Sequence, residues 1–394
     1  MNKNWSFETK AVHVGSEPDP HTGAVVKPIY QTSTYVFKNT EEAEKIFSGE
    51  SFGYIYGRTQ NPTQSELEEK IAALEGGEAC KTFASGMAAI TAATMAILKA
   101  GDHVICDDVV YGGTYGLLTK IFPRYGIEVT FIDTSDIKNI ENALKPNTKL
   151  VYVETPANPT LKIIHIKEVA DFCKSNRLRF VVDNTFMTPY FQRPLELGAD
   201  IVVHSATKYM GGHGDLLAGA VIGSENFVHE ELHDPASKLG GGISPFTCFL
   251  IKRGLQTLPL RMEKHNSNAM KVADYLKNNP KIRNVVYPGL PDFPQHALAK
   301  EQMSGFGGLI SFEVEGGLKQ ARQFCDSLNM IGFAVSLGDV GTLVQLPALM
   351  THRSVSAEDK KESGISDGLL RLSVGLENEI DIIADIEQAL EKVK

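Results

Sequence analysis

Along the middle of the chain, short apolar runs alternate with longer stretches in which apolar residues recur every three or four positions. Residues 104–106, 129–132, 150–153, 181–183, 201–203 and 219–222 are rich in Val and Ile, apolar on both faces, and mostly closed by a polar residue. Strands read this way when helices cover both sides of a mostly parallel sheet. Residues 166–175 read as one of the intervening helices, and the alternation predicts an α/β domain. Upstream, Thr63-Gln64-Ser65-Glu66 after Pro62 has the form of a capping box. Leu67, Ile71 and Leu74 follow at helical spacing, and Gly76-Gly77 supply a stop. A second helix is expected from near Gly86 to Leu98.

The last third has a different rhythm. Residues 285–289 end in a Pro-Gly turn, residues 308–314 alternate like a half-buried strand, and residues 371–374 follow a polar segment. Ile382, Ile383, Ile386 and Leu390 mark a closing amphipathic helix. Strands and helices without strict alternation predict a smaller C-terminal α+β domain. The boundary is placed near Gly254, giving units 61–254 and 255–394.

Composition narrows the class. A chain of 394 residues with 42% hydrophobic and 22% charged residues is ordinary for a globular protein and too long for one simple core. Its net charge of −9 gives no electrostatic reason to bind nucleic acid or an anionic membrane. Five scattered cysteines without C-x-x-C spacing suggest neither a disulfide framework nor a metal site. No apolar run is long enough to span a bilayer, and the first ten residues lack an apolar signal core. A cytoplasmic metabolic enzyme with a small-molecule substrate is the expectation.

The strongest chemical cluster is Ser205-Ala206-Thr207-Lys208, between the strand at 201–203 and Gly211-Gly212-His213-Gly214. A lysine that must form an imine has to be held rigidly and reached without its proton; a strand end and desolvation supply these conditions. The hydroxyls of Ser205 and Thr207 are small donors suited to a phosphate. Read alone, Lys208 fits a solvated loop lysine as well. Asp183 closes an apolar strand, where a buried carboxylate needs a donor or a cation such as a pyridinium nitrogen; a helix cap or turn is the structural alternative. Ser85-Gly86-Met87 enters a helix where backbone amides could meet a phosphate, although plain helix packing reads the same. Tyr111 stands beside the flexible Gly112-Gly113, or is a half-buried core tyrosine. Arg371 lies among apolar neighbours, where its planar fork suits a carboxylate or an internal ion pair. No G-x-G-x-x-G follows the first strand, so nothing supports a nicotinamide site.

Together these segments resemble the Cys/Met-metabolism pyridoxal-phosphate enzymes, which include the cystathionine γ-lyases, cystathionine γ-synthases and methionine γ-lyases. The resemblance runs from about Gly23 onward. It is carried by Tyr56-Gly57-Arg58 through Asn61-Pro62-Thr63, the Ser85-Gly86-Met87 loop, Glu154-Thr155-Pro156-Ala157-Asn158-Pro159, Ser205 to Gly214, and Arg371 to Gly375. It implies an aspartate-aminotransferase-like (fold type I) large domain and pyridoxal 5′-phosphate as cofactor. Lys208 is then the imine-forming lysine and proton carrier, Asp183 the partner of the ring nitrogen, and Tyr111 the ring-stacking residue that protonates the leaving group. Ser85, Gly86, Met87, Ser205 and Thr207 hold the phosphate. Tyr56 and Arg58 reach the same phosphate from a neighbouring subunit, so residues 1–60 form an exchanged arm in a dimer that pairs into a tetramer. Asn158, Ser336 and Arg371 hold the substrate carboxylate and the cofactor's ring oxygen.

Within this family, the resemblance implies γ-elimination on a sulfur amino acid. Cystathionine enzymes often carry acidic residues where this chain has Ile55 and Val335, and an arginine where it has Gly116. Losing three charges favours an apolar thioether end, since a buried polar group without a partner costs about 1–3 kcal/mol. L-Methionine is the expected substrate, with methanethiol, 2-oxobutanoate and ammonia as products. Gly113 points the other way: methionine γ-lyases generally have cysteine there, and cystathionine enzymes have glycine. Cystathionine or homocysteine elimination, and γ-replacement on an acyl-homoserine, remain the alternatives.

Overall fold

The computed structural model describes residues 5–351 and 364–394. Seven strands, β1 (Ala79–Phe83), β2 (His103–Asp107), β3 (Glu128–Ile132), β4 (Thr148–Glu154), β5 (Arg179–Asp183), β6 (Ile201–His204) and β7 (Gly219–Gly223), form one sheet in the order β1-β7-β6-β5-β4-β2-β3. The pairs β2/β3, β2/β4, β4/β5 and β5/β6 are parallel. Strand β7 runs antiparallel to both β6 and β1. Every residue of β2, β6 and β7 is buried, which accounts for their apolar sequences: helices and loops cover both faces. All six strands expected in this region are present.

Strand β1 was not foreseen. Its sequence, Ala-Cys-Lys-Thr-Phe, places a lysine at its centre. Lys81 satisfies its charge sideways, with Nζ 3.3 Å from a Glu68 carboxylate oxygen and donating to the Thr59 carbonyl at 2.8 Å. An edge strand has room for such an exit.

The helix Pro62–Glu75 is where it was expected, but its cap is different. Asn61 is the N-cap, accepting the Thr63 N–H at 2.9 Å. The Thr63 hydroxyl instead accepts from the Tyr30 N–H, and Glu66 pairs with Lys27 and Lys252, so Thr63 and Glu66 form no capping box. Gly76 ends the helix in the left-handed conformation (φ 77°) that glycine adopts without strain. Helices Gly86–Ile97 and Ile166–Asn176 agree with the periodicity.

A second sheet contains β8 (Ile282–Val286), β9 (Leu309–Val314), β10 (Gly332–Phe333), β11 (Leu343–Gln345) and β12 (Leu369–Ser373), in the order β10-β11-β12-β9-β8. Only β10/β11 is parallel. Helices Leu258–Asn278, Leu318–Ser327 and Glu379–Lys392 cover one face with an apolar core that includes Val272, Phe324, Ile382 and Ile386. Strand β9 is buried at five of its six positions rather than alternately. Its other face lies against the first sheet's loops, where the Ser311 hydroxyl donates to the Pro159 carbonyl at 2.5 Å.

The first sheet's strands all precede Gly254 and the second sheet's all follow it. Gly254 itself lies in the last turn of helix Pro245–Gln256. A β-carbon there would lie 2.5 Å from the Gly211 carbonyl oxygen. This close approach ties the helix to the loop after Lys208.

Candidate active site

Parallel strands that end side by side bring distant residues together. The C-terminal ends of β4, β5 and β6 carry Glu154, Asp183 and, just beyond His204, Ser205 to Lys208. A cavity of about 660 Å³ opens over these ends, and its wall includes Ser85, Gly86, Met87, Tyr111, Asn158, Asp183, Ser205, Thr207, Lys208, Val335, Ser336 and Arg371. Twelve of the fourteen residues singled out from the sequence thus meet at one place. The other two, Tyr56 and Arg58, do not line it. Arg58 lies over the Tyr56 ring, 5.5 Å from its centroid, and both side chains are exposed.

Lys208 is largely buried, and its Nζ donates to Ser336 Oγ at 3.1 Å. Burial, and then the Arg371 charge, hold its amine below the ordinary lysine range; Asp339 opposes them. Asp183 is buried in the cavity wall. One carboxylate oxygen accepts from the Thr185 N–H (3.1 Å) and hydroxyl (2.6 Å), and the other from the Tyr152 hydroxyl at 3.3 Å. Burial still pushes its carboxyl above the usual range, against the Thr185 hydrogen bonds and the field of His204. Its hydrogen-bond partners among the described residues are an amide and two hydroxyls, none of them a cation.

Arg371 crosses from the second sheet. Nη1 donates to Asn158 Oδ1 at 3.0 Å and Nη2 to the Ser336 carbonyl at 2.5 Å, while Nε is buried without a partner. Burial depresses the guanidinium to about 10. Ser336 has φ 107°, a conformation that costs a non-glycine residue about 1–3 kcal/mol. The Lys208 and Arg371 bonds hold it there. Tyr111 is 42% exposed at the mouth, its backbone N–H donating to Glu154 Oε2 at 2.7 Å. Burial, and then Asp183, push the Glu154 carboxyl well up.

The helix Gly86–Ile97 points its N-terminus into the cavity, capped by the Ser85 hydroxyl, which accepts the Ala88 N–H at 3.1 Å. A β-carbon on Gly86 would lie 2.8 Å from that of Ser205, so glycine lets the helix start and the lysine loop close on one another. The Thr207 hydroxyl both donates to the Ala218 carbonyl (3.2 Å) and accepts the Ala218 N–H (2.9 Å).

Glu154, Thr185 and Tyr152 were not singled out for these roles from the sequence. Glu154 carries the signal that marked Asp183: an acid at the end of an apolar strand. The two are register partners.

One end of the cavity offers a helix N-terminus with hydroxyls, suited to a phosphate; the other offers a buried carboxylate short of a cation. A lysine disposed to lose its proton lies on the same wall. These donors fit pyridoxal phosphate, and the fold and site define a two-sheet enzyme of the kind that uses it. The match to the family described as "Cys/Met metabolism PLP-dependent enzyme" spans residues 8–391, and the chain belongs to that family. It is a pyridoxal-phosphate-dependent enzyme.

The chain is 49% identical over 389 residues to the L-methionine gamma-lyase of Porphyromonas gingivalis, covering 98% of this chain and 97% of that one. It is 48% identical over 386 residues to the cystathionine gamma-lyase of Bacillus subtilis, covering 98% and 99%. The crystal structure of metB from Corynebacterium glutamicum is similar over the full length of both chains, with a TM-score of 0.95 at 41% identity. Among the described residues no helix is long and apolar enough to cross a membrane.

Proposed function

We propose that this enzyme catalyses α,γ-elimination on a sulfur amino acid, preferring L-methionine and releasing methanethiol, 2-oxobutanoate and ammonia. The reading is carried by the apolar part of the cavity wall, where Leu216, Leu217, Leu343 and the half-exposed Val335 stand. A thioether loses little on entering such a surface, whereas a second ammonium and carboxylate would lose water without gaining partners. The wall's carboxylates lie elsewhere: Glu154 and Asp183 at the strand ends, and Asp339 against Gly214 on the Lys208 side.

In this reading Arg371, with Asn158 and Ser336, holds the substrate's α-carboxylate and so decides which Cα bond is exposed to reaction. Lys208, favoured in its neutral form, takes the Cα proton and carries protons onward. Bound pyridoxal phosphate supplies an electron-withdrawing ring that stabilises negative charge beside Cα. Asp183 holds a positive ring nitrogen, and Ser85, Gly86, Met87, Ser205 and Thr207 hold the phosphate. A Cβ proton must leave as well: its C–H electron pair becomes the Cβ=Cγ bond as the Cγ–S pair departs with sulfur, and the Tyr111 hydroxyl supplies the proton that makes methanethiol. Water then completes 2-oxobutanoate and ammonia. Each well-placed acid or base contributes about 10²–10⁴-fold.

Tyr56 and Arg58 reach the phosphate from a second copy in this account, residues 1–60 being the exchanged arm of a homodimer that pairs into a tetramer. Two observations favour it: helix Thr40–Phe47 buries no residue in its own chain, and Val25, Val36, Phe47 and Phe52 are exposed. The division into units 61–254 and 255–394, and a cytoplasmic location, belong to the same proposal.

A second reading, cystathionine elimination, is favoured by Gly113. A β-carbon there would lie 2.4 Å from Tyr111 Cε1 and 2.9 Å from Met87 Sδ, so the tyrosine ring occupies the space a cysteine would need. The deciding experiment is turnover on methionine, homocysteine, cystathionine and cysteine, each alone, and on an O-acyl-homoserine with a thiol. Methanethiol and 2-oxobutanoate from methionine alone support the first reading. Preference for cystathionine, or dependence on the acyl-homoserine with thiol, replaces it.

A further inference from the structure

The second sheet carries a row of polar side chains on the face opposite its apolar core, and Arg371 of this row lines the cavity. Strands β11 and β12 are antiparallel with Gln345 directly opposite Arg371, and Arg371 is directly opposite Ser311 of β9. Alternation places these three on one face, because their strand neighbours Val344, Leu370, Leu372, Ile310 and Phe312 belong to the apolar core on the other. Gln345 and Ser311 are fully buried and Arg371 nearly so. Among the described residues, two polar atoms of this row have no partner: the Nε–H of Arg371 and the amide oxygen of Gln345. One is a donor and the other an acceptor. In directly opposed residues the β-carbons lie about 4.5–5.5 Å apart, and burial denies both atoms the water that would otherwise satisfy them. The amide nitrogen of Gln345 faces Thr351 Oγ1 at 3.4 Å, and Thr351 belongs to the cavity wall.

We propose that Gln345 is a positioning residue for Arg371: its amide oxygen accepts the Nε–H when a substrate carboxylate meets the guanidinium, and fixes the plane in which the fork is presented. The inference rests on the reading of Arg371 as the carboxylate anchor and adds the group that aims it. A neutral acceptor suits this task. It orients the guanidinium without cancelling the charge that attracts the substrate, whereas a carboxylate at the same position would compete with the substrate for it.

The test uses the holoenzyme and two small ligands followed by the absorbance of the bound cofactor. Glycine carries the α-carboxylate and has no γ-substituent to lose; methylamine carries the amine alone. Gln345→Met keeps the length and removes the acceptor. Glycine binding should weaken about tenfold, as for loss of a hydrogen bond to a charged group, with methylamine binding unchanged. For the reacting amino acid, KM should rise while kcat stays within about twofold. Unchanged glycine binding, or an equal loss for methylamine, overturns the proposal. If Q345M does not fold or load cofactor, Gln345→Asn, too short to reach, is put to the same comparison. Arg371→Leu separates the two levels: if it binds glycine like the parent, the anchor reading fails; if it weakens glycine and Q345M does not, only the positioning role fails.

Discussion

Lys208 carries the heaviest demand of any single residue, since it must be buried enough to lose its proton and still be reachable. Lys208→Ala should abolish covalent capture of pyridoxal phosphate, read as loss of the borohydride-reducible imine, and cut turnover by at least about 10²-fold. Retention of either would remove Lys208 from the mechanism. Because burial and then Arg371 lower its pKa, the neutral amine persists to lower pH than in free lysine. Removing the Arg371 charge raises that pKa, so Arg371→Leu should move the pH midpoint of cofactor capture by the apoenzyme upward. A downward or absent shift would show that Arg371 does not act on Lys208. Val335→Glu places a carboxylate on the apolar wall; turnover on methionine should fall relative to cystathionine, and an unchanged ratio would show that Val335 does not set the preference.

At the scale of elements, the site depends on strand ends held in register by buried polar pairs. His204, which closes β6 just before Ser205, has its Nε2 2.7 Å from Glu75 Oε2 on helix Pro62–Glu75, with both side chains sealed from solvent. Asn184, next to Asp183, donates to the other Glu75 oxygen at 3.3 Å and to the Gln192 carbonyl at 2.7 Å. This network lies under the segments that carry Asp183 and Lys208. Leaving a buried polar group without its hydrogen-bond partner costs about 1–3 kcal/mol, so His204→Leu should lower the denaturant midpoint and weaken cofactor retention together. A stable variant that still retains cofactor would show that the pair does not support the site. None of this was legible beforehand: a glutamate at a helix end and a histidine at a strand end, 129 residues apart, give no signal of partnership until the helix packs on the sheet.

For the whole molecule, the separation of Tyr56 and Arg58 from their own chain's cavity leads to a complementation test. Arg58→Ala and Lys208→Ala should each be defective alone, and mixing them under subunit exchange should recover activity from hybrid sites with one intact arm and one intact lysine. No recovery would argue that the arms are not shared. The amino-acid sequence by itself determined which chemistry is available and much of the framework. Both-faced apolar strands can be stable only inside a layered sheet. Asp183 stood out because a carboxylate at an apolar strand end needs a partner, Arg371 because a guanidinium among apolar neighbours does, and Lys208 and Tyr111 for the small hydroxyl and glycine residues beside them. The same local logic failed at β1, where Lys81 disguised an edge strand, and at the cap of helix Pro62–Glu75, where Asn61 out-competed Thr63. Tertiary structure alone decided which groups meet: Glu154 with the Tyr111 amide, Ser336 with Lys208, and Gln345 opposite Arg371. Periodicity is a property of neighbours along the chain, and register between strands joined by long crossovers is settled only when the sheets close and bury their edges.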